Sequence, residues 1–236
     1  MRYSLPVFNF LVLIFLSDNL SPLSADEVLF DNGVGGAAGI SSGQTSDYDP
    51  RPDGYVQIMA DDFSIPRNTV IRSVRWTGAY SPGNTPPDTD NFEVAFYRQI
   101  ISPSGFSFPD VDAGPLLVFD IDTTRVDSGV DVGTGFDIFE YSATFDTPIA
   151  LNDRTFFLSL RNDTTDDKDD NWAWAGRHES ELEDGSSAII NIGQKDQIFG
   201  LNHLRTDFQL LGTTIPEPSS TIIGAFVLFC LCGRRR

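Results

Sequence analysis

Asn91-Phe92-Glu93-Val94-Ala95-Phe96-Tyr97-Arg98-Gln99-Ile100-Ile101 decides the fold class. Phe92, Val94 and Phe96 fall on one side of an extended chain and Glu93, Ala95 and Tyr97 on the other, the period of two that marks a half-buried strand. Residues 155–161 repeat the pattern, with Phe156, Leu158 and Leu160 on one face and Ser159 and Arg161 on the other. Residues 55–60, 69–77, 116–123, 136–145, 187–192 and 207–211 are likewise rich in β-branched and aromatic residues, which fit a pleated surface. Segments of turn chemistry separate them, the clearest being 81–90 (SPGNTPPDTD) and 162–171 (NDTTDDKDDN). No stretch sustains apolar spacings of three and four between helix caps. The sequence therefore predicts an all-β chain, an antiparallel β-sandwich with jelly-roll-like connections, forming a single domain over residues 26–213.

Both ends read as processing segments. After Met1 and Arg2, residues 5–16 (LPVFNFLVLIFL) are apolar over a length that suits a signal-peptide core better than a membrane span. Pro22 breaks any helix and Ala25 supplies the small residue before a cut, so residues 1–25 are expected to be a signal peptide and Asp26 the first residue of the mature chain.

The other end, residues 214–236, carries Pro216-Glu217-Pro218, then SSTIIGAFVLFCLCG, then Arg234-Arg235-Arg236. The prolines fix φ and withdraw backbone donors, keeping the approach to a bilayer extended. The apolar run at 221–232 is shorter than the roughly 20 residues that span comfortably, a marginal anchor that needs tilt or snorkelling arginines. Three terminal arginines hold that end in the cytoplasm. This order of features resembles the PEP-CTERM sorting signal of Gram-negative bacteria. The resemblance implies recognition of Pro216, Glu217 and Pro218 by an exosortase, transient anchoring of a short transmembrane helix in the inner membrane, and topology set by Arg234, Arg235 and Arg236. More loosely, residues 61–213 resemble a sandwich domain of exported bacterial proteins that carry such tails, through TVIRSVRWTGAY, SPGNTPPDTDNFEVAFY and FFLSLRNDTTDDKDDNWAWAG in that order.

The only two cysteines, Cys230 and Cys232, lie in the tail, so an exported domain without it has no disulfide, thiol nucleophile or cysteine metal site and relies on its core. About 190 residues can bury one. The chain carries 16 Lys and Arg against 34 Asp and Glu, a net of −18. Without Arg2, Asp18 and the three terminal arginines, 12 cations face 33 anions, a net of −21. Such a surface repels nucleic acid and favours a hydrated setting and cations.

Within 162–171, Asp163, Asp166, Asp167 and Asp169 place hard oxygen donors close together, as calcium requires. Asp167-x-Asp169-x-Asn171 imitates the start of an EF-hand, but Trp172 replaces the turn glycine and His178 the bidentate Glu, leaving at most a looser structural calcium site. Trp172 and Trp174 share one face of a short strand. Facing outward they form a platform for sugar rings; facing inward they are core. Gly33-Val34-Gly35-Gly36-Ala37-Ala38 matches the letters of a dinucleotide loop without the helix that should follow. Two histidines, His178 and His203, allow neither a HExxH helix nor a three-histidine zinc site, and no Gly-x-Ser-x-Gly elbow exists.

The expected function is accordingly that of a non-catalytic cell-envelope or extracellular-matrix protein, exported, transiently held at the inner membrane, then displayed or released, with no cofactor beyond a structural calcium. The alternative is an extracellular carbohydrate-binding module, calcium-dependent, that meets matrix polysaccharide through Trp172 and Trp174. A secreted hydrolase with acidic catalytic residues ranks behind both.

Overall fold

The computed structural model describes residues 26–33, 42–47, 56–82, 85–132, 136–151, 155–166, 170–178, 187–192, 197–201 and 204–215. The expected signal peptide lies outside them, as does the expected tail from residue 216 onward; Thr214, expected to open the tail, is the last residue of the final strand. The strands of the first half are β1 (Glu27–Asp31), β2 (Ser42–Thr45), β3 (Val56–Ser64), β4 (Thr69–Pro82), β5 (Phe92–Ile101), β6 (Ser107–Pro109) and β7 (Leu117–Ile121). Those of the second half are β8 (Thr124–Val132), β9 (Phe136–Leu151), β10 (Thr155–Arg161), β11 (Asp170–His178), β12 (Ser187–Ile192), β13 (Gln197–Leu201), β14 (Leu204–Thr206) and β15 (Phe208–Thr214). No helix occurs among the described residues.

Every strand pairing is antiparallel, and the strands form two sheets, a β-sandwich as the alternation predicts. One sheet is built on β4. Strand β9 runs along one edge of β4, continued outward by β8; β15 and then β11 occupy the other edge in succession, with β1 outside β15 and β2 and β14 on β11. The second sheet runs β13-β12-β3-β10-β5, with β6 and β7 also paired to β5.

The alternation of β5 places Phe92, Val94 and Phe96 in the core between the sheets, beside Phe63 of β3 and Leu158 and Leu160 of β10. The β4 sheet contributes Val74, Trp76, Tyr80, Tyr141, Trp172, Trp174 and Phe208. Trp76 stacks on Tyr141 at 5.5 Å and 9°, while Phe92 meets Trp172 edge-on at 4.9 Å and 88°. Offset and edge-on arrangements suit the ring quadrupoles.

The reading of β5 and β10 as half-buried needs correction. Ala95, Tyr97, Phe157 and Ser159, on the outer face, are buried too. With Ile58 and Ala60 the apolar ones among them form a second, smaller cluster, against which Val56 and Val111 pack. Val111 belongs to the excursion between β5 and β7 that carries β6 back against β10, β12 and β13.

The sheets are joined at one end by the β3–β4 turn, where Asn68 adopts φ 56°. Asparagine is one of the few side chains that tolerates this left-handed conformation.

Candidate functional site

Where β7 of one sheet and β9 of the other diverge, a cleft of about 820 Å³ opens between them. Four separate segments build it: residues 89–93, 119–122, 144–147 and 163–165. Phe92, Phe119, Ile121 and Phe145 give it apolar walls, and six carboxylates line it, Asp90, Glu93, Asp120, Asp122, Asp146 and Asp163.

Two of the six are committed to the fold. Glu93 pairs across the sheet with Arg161. Asp90 takes both oxygens to Arg125 Nη1, at 3.1 and 3.0 Å, and accepts the Tyr80 hydroxyl, which in turn accepts Asn162 Nδ2 at 3.0 Å. Burial above all, then the neighbouring Tyr141 and Asp90, pushes the Tyr80 hydroxyl far above its ordinary range, so it remains a donor. Arg125 also lies over the Phe139 ring, 5.6 Å from its centre. Asp120, Asp122 and Asp146 face solvent along the rim. The chemistry on offer is that of hydroxyl acceptance and cation attraction.

The sequence-predicted sites fare differently. Trp172 and Trp174 are both 0 % exposed, so the outward-facing alternative is corrected: no sugar platform is formed by this pair. β11 lies inside its sheet, and the Trp172 ring rests so closely on β4 that a Cβ on Gly78 would stand 2.5 Å from the indole. Trp174 Nε1 donates to the Asp207 carbonyl at 3.1 Å.

Of the acidic loop, Asp163 and Asp166 are described and Asp167 and Asp169 lie outside the described residues. Asp163 Oδ1 is engaged locally, accepting the Thr165 amide at 3.2 Å and hydroxyl at 2.7 Å. Among the described residues no group of three or more carboxylates, histidines or cysteines is placed to hold a metal ion. Pro216, Glu217, Pro218, Arg234, Arg235 and Arg236 lie outside the described residues, as does His203.

Three buried carboxylates were not legible as a set. Asp47 Oδ2 accepts the Trp172 amide at 2.7 Å and the Thr164 hydroxyl at 3.0 Å, and Oδ1 accepts the Thr164 amide at 3.1 Å, pinning the stem of the acidic loop to β11. Asp61 of β3 faces the opposite sheet. Its Oδ2 accepts the Thr206 amide and hydroxyl at 2.7 and 2.8 Å and Asn32 Nδ2 at 3.1 Å, and its Oδ1 accepts the Asp62 amide at 2.9 Å. Burial outweighs these donors and pushes Asp61 up to about 7. Asp207 sits between β14 and β15, its backbone bonded to Ala175 of β11 and Thr77 of β4, and its side chain lies 3.2 Å from Arg177 Nε. Burial raises it to about 6 against the pull of that arginine.

No curated protein and no solved structure matches the chain. A family profile does: a domain of unknown function, DUF7901, over residues 37–227, which takes in the sandwich from β2 onward and runs past the Pro-Glu-Pro tripeptide. The match covers well over half of the sequence, and the chain belongs to the DUF7901 family.

Proposed function

We propose that the chain is a non-catalytic exported protein of the cell envelope or extracellular matrix, a jelly-roll-like sandwich sorted through a PEP-CTERM tail. The observation that carries the reading is the order of features at the C-terminal end: β15 finishes at Thr214 and Pro216-Glu217-Pro218 begins two residues later, with an apolar run and three arginines behind it. Only Ile215 separates the last strand from the recognition tripeptide. A cysteine-free domain over residues 26–213, with 12 cations against 32 anions and a net of −20, that is stabilised by an aromatic core suits a hydrated compartment outside the cytoplasm. Intact-mass analysis of protein recovered outside the cell should show the residues behind the tripeptide removed, and Glu217→Ala should leave full-length precursor in the inner membrane. Recovery of the complete tail in released protein defeats the reading.

Carbohydrate recognition is the second reading, and the cleft favours it. Its rim carboxylates can accept sugar hydroxyls beside the half-buried Phe119. A glycan array probed with the mature protein, with and without calcium, tests it. Binding should fall on Asp120→Asn with Asp146→Asn and be indifferent to conservative changes at Trp172.

A further inference from the structure

The first and last described strands lie side by side. β1 pairs antiparallel with β15, Glu27 opposite Gly212, so residue 26 and residue 215 leave the sandwich at the same end. The side chain of Glu27 closes that corner: its Oε1 accepts the Thr214 amide at 3.0 Å and the Thr214 hydroxyl at 2.6 Å. The Ile215 amide donates to the Asn68 carbonyl at 2.7 Å, which adds the β3–β4 turn to the same end.

This pole has a surface of its own. Val28 and Ile215 are 53 % and 54 % exposed. The opposite sheet reaches the same end where Thr155 pairs with Ser64 and Phe156 with Arg98, and the β5–β6 hairpin continues beyond that register. Its tip exposes Ile100, Ile101 and Phe106. Five of the seven large apolar side chains that the described residues leave exposed thus gather toward one end; only Val118 and Val126 do not. Around the start of β1, Asp26 lies 3.6 Å from Arg72, and Glu27 holds Thr214. Arg67 is exposed in the turn. Arg67 and Arg72 balance Asp26 and Glu27, in a domain that otherwise carries a large negative excess.

We infer that this pole, formed by the start of β1, the end of β15, the Pro66–Asn68 turn and the β5–β6 tip, is the face that the precursor lays against the lipid bilayer. The inference rests on the proposed reading of the tail. Only residues 216–220 separate Ile215 from the apolar run beginning at Thr221, a reach of at most about 22 Å. Exposed aliphatic and aromatic side chains with arginines among them are what an interfacial surface needs, and the acidic remainder of the domain is held away from anionic lipid. β4, with 14 residues at about 3.3 Å each, sets the opposite pole roughly 45 Å farther out. Asp88 and the cleft-lining Asp90 lie toward that distal pole, where β4 ends and β5 begins.

The test uses the full chain in phosphatidylethanolamine–phosphatidylglycerol vesicles containing nitroxide-headgroup lipid. Cys230 and Cys232 are replaced by Ser, and a single bimane label is attached at Arg67→Cys, Asp88→Cys or Phe226→Cys. Residues 67 and 88 are both exposed turn positions, so neither label disturbs the core. Strong quenching at 226 and 67, with quenching at 88 several-fold weaker, is the expected result. Quenching at 226 with equal values at 67 and 88 overturns the membrane-facing pole while the tail reading stands. An unquenched label at 226 removes the tail reading and this inference with it.

Discussion

Replacing Asp61 with Asn should change how stability depends on pH while barely changing the shape of the core. In the native protein Asp61 is 1 % exposed, and burial lifts its carboxyl from 3.8 to about 7. A carboxyl raised in this way is protonated in the folded chain and ionised in the unfolded chain between about pH 4 and pH 7. Folding then takes up a proton, so the stability Asp61 contributes is complete below about pH 4 and is lost as pH rises toward 7. Moving the carboxyl from 3.8 to about 7 amounts to about 4 kcal/mol across that window. Asn mimics the neutral acid in shape. It can keep one oxygen on Thr206 and Asn32, at the cost of turning its amide toward the Asp62 N–H, about 1–3 kcal/mol and independent of pH. Urea unfolding of both proteins at several values from pH 4 to 8 should show the wild type losing about 4 kcal/mol relative to Asp61→Asn as pH rises, with Asp207 and the general charge repulsion cancelling in the comparison. Two parallel stability curves would refute the argument, because they would mean that Asp61 is ionised throughout and that its four donors outweigh its burial.

Gly78→Ala should lower stability by about 1–3 kcal/mol, since the new methyl would stand 2.5 Å from the Trp172 ring, and an unchanged melting temperature would show that the indole can move aside. For the acidic loop, calcium bound only by the folded chain at a hundred times Kd should add about 2.7 kcal/mol, a rise of roughly 5 °C or more that magnesium and sodium chloride of matched ionic strength do not reproduce and that Asp167→Asn with Asp169→Asn removes. Equal shifts in the three salts reduce the loop to a solvated acidic turn.

Eight of the strands are legible in the sequence, β5 and β10 from alternation, which marks their core-facing residues, and the other six from their β-branched and aromatic content. β8 escapes the same reading. Thr124–Val132 is rich in Asp, interrupted by Gly129 at φ 70°, and lies at a sheet edge with one neighbour, so little burial shaped its sequence. The double burial of β5 and β10 escapes for the opposite reason: the cover comes from β6, carried by a loop that nothing in strands β5 or β10 announces. A single clue to Asp61 was present, a carboxylate at the inward position between Met59 and Phe63, where an apolar residue belongs. The cleft had no local signature at all, since its acids come from four segments brought together only by the packing of the sheets. For the tail the situation is reversed: sequence carries the whole reading, and its residues lie outside the described part of the chain.

The pairing of the first strand with the last also orders events in time. If the chain is exported as proposed, threading from its N-terminus would deliver β1 at once but β15 only about 180 residues later, so the β1–β15 hydrogen bonds could not form until almost the whole domain had crossed. Until then Leu29 and Phe30 have no Phe208 or Leu210 to pack on, and the edge of the sheet is open to wrong partners. A tail that pauses in the bilayer just as Thr214 emerges would hold the chain still at the step when its two ends must find each other.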